Sequence, residues 1–418
     1  MRLKLRSSLR IVATGIALAT MIVMPVGAAD VVKIGGISVL EGAFAGPGGD
    51  GIRGIELAIK EFDGMIAGKK IVLSIMSSSG APDTAVNAAR KLIEQDGVDI
   101  IVGPLSGSEG IAIRDFSKSN QGVTFINGSS AAQDATLRNG SENFFRFGGD
   151  GAQWLAGLGT YAYDTLGYKK VAVIAEDYSF PYTQILGFMT EYCRAGGHVP
   201  KKFWVPIGNK DYSSIVYAIP QDVDALFVVL GGSDAVNFLT QYSRAGGDKP
   251  IIGGTITIDS TILDAKGPFK KLLIGTPSGT PTASENDSPE WQGFVAQYRK
   301  EFPDGFSSPS LFAHHYYMST KAALLGLEKV KGDLSNNHAA YRKALSNLEF
   351  DTPTGLMKLD KNRNGIVDVL LTEVVDLGNG KLGNKVISVT KNVLQTMGEP
   401  EAEFLAMGPV SRDNPSCP

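Results

Sequence analysis

Short apolar runs alternate with longer amphipathic ones through most of this chain, and that alternation leaves few folds open to it. The run "VVKIGGISV" (31–39) leads into a helix-like stretch ending at Phe62, and "KIVLSIM" (70–76) leads into "PDTAVNAARKLIEQDG" (82–97). Then "VDIIVG" (98–103) leads into "SGSEGIAIRDFSKSNQG" (106–122), and "VTFIN" (123–127) closes the series. Short buried strands joined by helical crossovers predict a parallel sheet covered on both faces. The pattern resumes after Asp150 with "KKVAVIAED", "GGHVPKKFWVP", "VDALFVVLGG" and "KPIIGGT". Two such blocks in 418 residues predict an α/β chain of two domains, at roughly 150 residues each.

The first 28 residues stand outside that pattern. Arg2, Lys4, Arg6 and Arg10 precede the apolar "IVATGIALATMIVM" (11–24), and small residues follow at Val26 and Ala28. This is the layout of a secretory signal peptide, with cleavage expected after Ala28 or Ala29. No cysteine lies near the cleavage point, so a soluble periplasmic protein is expected rather than a lipoprotein. Losing those four basic residues takes the formal net charge from −3 to about −7. An acidic chain argues against nucleic acid or an anionic membrane as partner.

The site chemistry is narrowed by what is sparse. There are two cysteines, Cys193 and Cys417, and four histidines, too few for a thiolate metal cluster. His314 and His315 are adjacent, so one packed and one exposed ring are expected, with no metal. Export to an oxidising compartment favours a Cys193–Cys417 disulfide that ties the C-terminal tail down. The turn "DKNRNG" has Asp360, Asn362 and Asn364 at alternate positions, as in a calcium loop. Leu371 stands where that loop needs a bidentate Glu, so the segment reads as a hairpin turn. The phrases "YCRAGG" and "YSRAGG" read as helix ends with glycine C-caps.

Gly46-Pro47-Gly48-Gly49-Asp50-Gly51 matches the dinucleotide pattern G-x-G-x-x-G. The next strand, however, ends in "SIMSSSG" without the acid that would hold a ribose. These glycines are instead expected to let the backbone approach a small ligand. No G-x-S-x-G elbow occurs, and no catalysis and no cofactor are expected. What remains is two serine-rich turns at strand ends, "VGPLSGSEG" (102–110) and "FINGSSAAQDAT" (125–136), with no Lys or Arg in either. Neutral donors beside a helix N-terminus suit a carboxylate, although Ser106, Ser129 or Ser130 would also serve as ordinary helix caps.

In order and spacing these segments resemble the type I periplasmic solute-binding proteins of ABC importers, the leucine/isoleucine/valine-binding group. "VKIGGISVLEGAFAGPGGDGIRGIELAIKEFD", "KVAVIAEDYSFPYTQ" and "NKDYSSIVYAIPQDVDALFVVLGG" carry the likeness across nearly the whole mature chain. The resemblance implies two doubly wound Rossmann-like lobes joined by three crossovers and closing on a ligand, as a Venus flytrap. It divides the chain into lobe 1 (29–147 plus 278–352), lobe 2 (148–277 plus 353–390) and a tail (391–418) packed on lobe 2. It also implies a monomer that delivers a small carboxylate to an inner-membrane permease and its ATPase.

Carried over residue by residue, the family's carboxylate site falls on Ser106, Gly107 and Ser108 and on Gly128, Ser129, Ser130 and Ala131. Phe44, Tyr178, Phe180 and Tyr182 are expected to face the ligand. The amine-binding hydroxyl and acid of the family are replaced by Ser233 and Thr255. Without that acid the favoured ligand is an aromatic or other organic acid lacking an α-amino group. An amino acid remains the alternative if Glu41, Glu176 or Asp177 acts as a displaced partner. A free-standing receptor feeding a sensor is a further alternative.

Overall fold

The computed structural model describes residues 31–417, so the expected signal peptide lies outside the described residues. None of the described helices is long and apolar enough to cross a membrane. The strands form two sheets. The first runs β2-β3-β1-β4-β5-β6, from β1 (Val31–Val39), β2 (Met65–Ile66), β3 (Lys69–Ser78), β4 (Ile100–Val102), β5 (Thr124–Ile126) and β6 (Phe144–Phe145). β1 lies between parallel neighbours, with Ile34 opposite Leu73 on one side and Ile100 on the other. Val32, Ile34, Ile37 and Val39 of β1 are all buried, which is why it occupies the middle.

The second sheet begins with β7 (Val171–Glu176), β8 (Lys202–Val205), β9 (Ala225–Val229), β10 (Ile251–Gly253) and β11 (Pro277–Thr280). To these it adds β12 (Phe350–Thr352), β13 (Gly355–Leu359), β14 (Gly365–Gly378) and β15 (Lys381–Val393). The order is β12-β13-β14-β11-β10-β9-β7-β8, with β15 on β14. β13 and β14 form the hairpin expected around "DKNRNG", closed by Asp360 Oδ1 accepting from the Asn362 and Asn364 N–H groups at 2.8 and 3.0 Å. The chain passes between the sheets after Phe145, after Thr280 and before Phe350.

Helices cover the sheets: α1 (Ala45–Glu61), α2 (Pro82–Lys91), α3 (Gly107–Ser117), α4 (Ser179–Arg194), α5 (Gly232–Arg244), α6 (Pro289–Glu301) and α7 (Leu311–Lys329). Gly196 (φ +101°) and Gly246 (φ +76°) follow α4 and α5 in the left-handed region, as the repeated "RAGG" phrase implied.

Two expectations are corrected here. The glycine-rich segment is not a loop backing a ligand, because α1 starts at Ala45 and Gly48, Gly51 and Gly54 point into the protein. A Cβ on Gly48 would lie 1.7 Å from the Val39 carbonyl oxygen, and one on Gly54 would lie 2.2 Å from that of Ala313. Gly48 thus lets α1 sit directly on the end of β1, and Gly54 lets it sit directly on α7. The second correction concerns His314 and His315, which are both buried. The first half of α7, Leu311–Thr320, is buried throughout, with Trp291 of α6 against His314 and the crossovers beside both rings, so adjacent residues there share burial.

The tail begins later than expected, since β15 continues to Val393. A last helix, α8 (Glu401–Ala406), buries Phe404 in a cluster with Ala152 and Leu186. Arg412 pairs with Asp177, its Nε 2.7 Å from Oδ1. The disulfide Cys193–Cys417 is formed, with the Cα atoms 5.4 Å apart.

Candidate functional site

Both sheets reverse strand order beside their first strand, β1 with β4 and β7 with β9, and the turns leaving those strands face each other. Such switch points at strand carboxyl ends are where open α/β sheets bind ligands. In the first lobe the turn after β4 enters α3 through a capping box. Ser106 Oγ accepts from the Glu109 N–H at 3.4 Å, and Glu109 Oε2 accepts from the Ser106 N–H at 3.0 Å. Ser106 Oγ also donates to the Gly80 carbonyl oxygen at 3.0 Å, so its proton is committed inside the lobe. Burial raises the Glu109 carboxyl above the ordinary range. The box leaves the N–H groups of Gly107 and Ser108, the first two of the helix, without intrahelical acceptors.

α4 of the second lobe begins opposite this point. The hydroxyls of Ser108 and Ser179 are 2.9 Å apart, and the Ser179 N–H donates to Ser108 Oγ at 3.3 Å. A Cβ on Gly107 would lie 2.8 Å from the Phe180 nitrogen, so only glycine lets the two helix tips meet this closely. Two helices, one from each lobe, thus point their positive ends at one spot, and an anion there is favoured by both.

Next to the two tips lies a small apolar cavity. Phe44, Leu105, Ser129, Leu311 and Phe312 line it from the first lobe, and Trp154, Tyr178, Phe180 and Ile256 from the second. Its rings are mutually packed. Phe44 meets Tyr178 edge-on at 6.5 Å, and Phe180 lies 6.0 Å from Trp154 and 6.2 Å from Tyr178. None of the lining side chains is charged. Ser129 Oγ is buried there with no hydrogen-bond partner, an unmet demand of the kind a ligand oxygen fills.

Of the residues expected from sequence, the cavity gathers Phe44, Ser129, Tyr178 and Phe180; Gly107 and Ser108 lie outside its lining, at the helix tip that meets Ser179 and Phe180. The others lie elsewhere. Ser130 Oγ packs onto Gly110 of α3, and Gly128 packs against the Tyr316 ring. Ala131 is buried, and its carbonyl oxygen accepts from the Gly151 N–H at 2.9 Å. Tyr182 turns away to Trp204, edge-on at 5.0 Å, and donates to Asp177. Thr255 is committed within its own lobe, accepting from Gln184 Nε2 at 3.1 Å and donating to the Gly279 carbonyl oxygen at 2.7 Å. Ser233 sits in the first turn of α5 beside Asp234.

The three candidate acids divide clearly. Glu41 is exposed, and Asp177 is held by Arg412. Glu176 is buried behind Tyr178, with Oε1 accepting from the Gly231 N–H at 3.0 Å and Oε2 unpartnered. Burial, with Asp234 nearby, pushes its carboxyl well above the usual range, which disfavours the charged form.

Trp154, Ser179, Ile256, Leu311 and Phe312 were not anticipated. Ser179 and Phe180 share the phrase "DYSFPY", and a serine opening a helix after a strand was a usable signal. Leu311 and Phe312 read as core because nothing local distinguishes the cleft end of a buried helix. The pattern Ser106-x-x-Glu109 already carried the capping box.

A family model described as periplasmic binding protein matches residues 31–380. The Leu/Ile/Val-binding protein homolog 7 of Brucella abortus (strain 2308) is 28% identical over 364 residues, covering 79% of this chain and 86% of that protein. An ABC transporter substrate-binding protein from Sphaerobacter thermophilus superposes with a TM-score of 0.77 at 27% identity, covering 87% of this chain and 98% of that one. A solute-binding protein of an R. palustris ABC transporter, crystallised with benzoate, gives a TM-score of 0.78 at 22% identity, covering 87% and 97%. With its two lobes, three passages between sheets and a closed inter-lobe cavity, the chain belongs to the periplasmic binding proteins, as a substrate-binding protein of an ABC transporter in the leucine/isoleucine/valine-binding-protein-like group.

Proposed function

We propose that the protein is an exported receptor that captures a small carboxylate without an α-amino group, an aromatic acid being the favoured class, and passes it to a permease and its ATPase. The observation that carries this reading is the meeting of two helix N-termini beside an uncharged cage of aromatic rings. The Gly107 and Ser108 N–H groups, the Ser129 hydroxyl and the one proton left free by the Ser108–Ser179 hydroxyl pair are the donors for the carboxylate. Phe44, Trp154, Tyr178 and Phe180 are the walls for a flat apolar body. An α-ammonium in that cage would lack an ionised partner, at a cost of several kcal/mol. The R. palustris protein crystallised with benzoate is an example of this chemistry on the same fold. The reading includes export by residues 1–28, action as a monomer, and release of the ligand unchanged.

One observation favours a second reading. Glu176 Oε2 is buried and unpartnered behind the cage. A ligand ammonium reaching it would draw it into the ionised form, as expected of a relative of Leu/Ile/Val-binding proteins.

Alanine substitutions test the carboxylate end. Ser129→Ala is expected to weaken benzoate binding by about 1.5 kcal/mol or more, at least tenfold, as measured by calorimetry. Ser106→Ala is expected to lower the unfolding free energy by about 1 kcal/mol through loss of the cap, with the smaller effect on affinity. Equal affinity in wild type and Ser129→Ala would place the carboxylate elsewhere.

A further inference from the structure

His314 and His315 occupy the hinge, and nothing in ligand recognition uses them. A second, small cavity is lined by Gly148 and Pro281 of the first two crossovers, by Thr352 and Thr354 just past the third, and by both histidines. His315 stacks on Trp154 of the second lobe, the ring centroids 4.8 Å apart and the planes 26° from parallel. Trp154 in turn lines the ligand cavity. The histidine therefore touches, across the lobes, the back of a ring whose edge belongs to the binding site. Both ring nitrogens of His315 are buried without a hydrogen-bond partner, and so is His314 Nδ1. His314 Nε2 is 3.2 Å from Thr354 Oγ1.

We infer that His315 is a positioning residue whose neutral imidazole, stacked on Trp154, holds the cleft closed, so that its protonation opens the hinge and weakens the hold on ligand. The inference rests on closure of the two lobes and not on which carboxylate binds. An imidazolium in the closed hinge would be buried with no acceptor for either N–H. It would also face the buried guanidinium of Arg146, itself 3.6 Å from Asp150. The other polar groups around the pair offer little relief. Asp368, on the cavity wall, is paired with Lys391 at 2.9 Å, and α6 presents only the rings of Trp291 and Phe294 to His314. When the lobes part, the hinge cavity admits water and the imidazole regains its ordinary affinity for a proton.

The sign follows from linkage. Burial, with Arg146 nearby, lowers the closed-state value of His315 to about 3, whereas a solvated imidazole titrates near 6.5. Closure is then fully supported above about pH 6.5 and loses support as pH falls below it. Asp259 acts in the opposite sense. Its Oδ2 accepts from the Leu311 N–H at 2.8 Å across the cleft, and burial pushes it up to about 6. Acid therefore stabilises the closed form through Asp259, and comparison with a variant isolates the histidine.

The test is the ratio of benzoate dissociation constants at pH 5.5 and pH 7.5, in wild type and in His315→Phe, which keeps a stacked ring and cannot titrate. The wild-type ratio is expected to be about tenfold larger, the effect of one imidazole over that span. His315→Gln, neutral and polar, gives the same comparison if the phenyl ring is not tolerated. Equal ratios in wild type and variant overturn the inference. Absence of benzoate binding at either pH would defeat the aromatic-acid reading instead. The hinge is then read without ligand by small-angle scattering, where the wild-type radius of gyration is expected to grow at pH 5.5 and that of the variant to stay constant. Identical responses in the two proteins overturn it.

Discussion

Protein carrying Cys193→Ser is expected to unfold with a free energy up to about 5 kcal/mol lower than wild type, as measured by urea titration without reductant. The bond spans 224 residues of sequence, and closing so long a loop removes a large share of the unfolded chain's entropy. About 5 kcal/mol is the loop-entropy value, and residual structure in the unfolded chain brings it down toward 2. The rest of the tail is held at its start and middle, where Gln395 Nε2 donates to Asp150 Oδ2 at 2.8 Å and Glu399 and Glu401 pair with Arg194 and Lys361. Phe404 is buried, Arg412 pairs with Asp177, and Lys202 Nζ donates to the Pro415 carbonyl oxygen at 2.8 Å. Amide exchange in residues 407–417, beyond α8, should therefore accelerate once the bond is gone. Two free thiols in the denatured, unreduced wild-type protein would remove the basis for this expectation.

Gly54→Val is expected to cost about 3 kcal/mol or more in the same measurement. The position allows no relief through a flexible side chain. Its Cβ would stand 2.2 Å from the Ala313 carbonyl oxygen and 3.0 Å from the Tyr317 nitrogen, both backbone atoms of α7. α1 and α7 would have to move apart, and α7 carries Leu311, Phe312 and His315 to the cleft and the hinge. Loss of stability should thus come with loss of ligand affinity. Gly49→Ala is the control, because a Cβ there meets nothing within 4 Å. Equal stability of Gly54→Val and Gly49→Ala would mean that the close approach of α1 and α7 is not what that glycine provides.

The same glycines show how far the sequence could be read. Alternation of buried strands with amphipathic runs is a local property, so a parallel sheet holding β1, β3, β4 and β5 was legible from hydrophobic period alone, though not the order of its strands. Whether a glycine lies in a ligand loop or in a helix packed on backbone is a tertiary fact, and Gly48 was misread for that reason. β15 was also missed. It lies on the edge, with most of its residues exposed, and bears little of the apolar signal that marks buried strands. In the site, residues at strand ends were legible because topology brings strand ends together: Phe44 after β1, Ser129 after β5, Tyr178 after β7. Trp154 lies in a short turn beyond a crossover, where no periodicity points anywhere. Ser106 shows the limit of residue type, since one serine serves equally as a ligand contact and a helix cap. Only its bonds to Glu109 and Gly80 distinguish the two.

The most direct measurement is calorimetric titration of the purified protein with benzoate and, separately, with L-leucine at pH 7.5. Two helix N-termini and an uncharged aromatic cage call for the carboxylate and offer no ionised partner to the amine. Benzoate is expected to bind with a dissociation constant in the micromolar range or tighter, and leucine at least a hundredfold more weakly, about 2.7 kcal/mol. Micromolar binding of leucine with none of benzoate would contradict the account and make Glu176 the first residue to change.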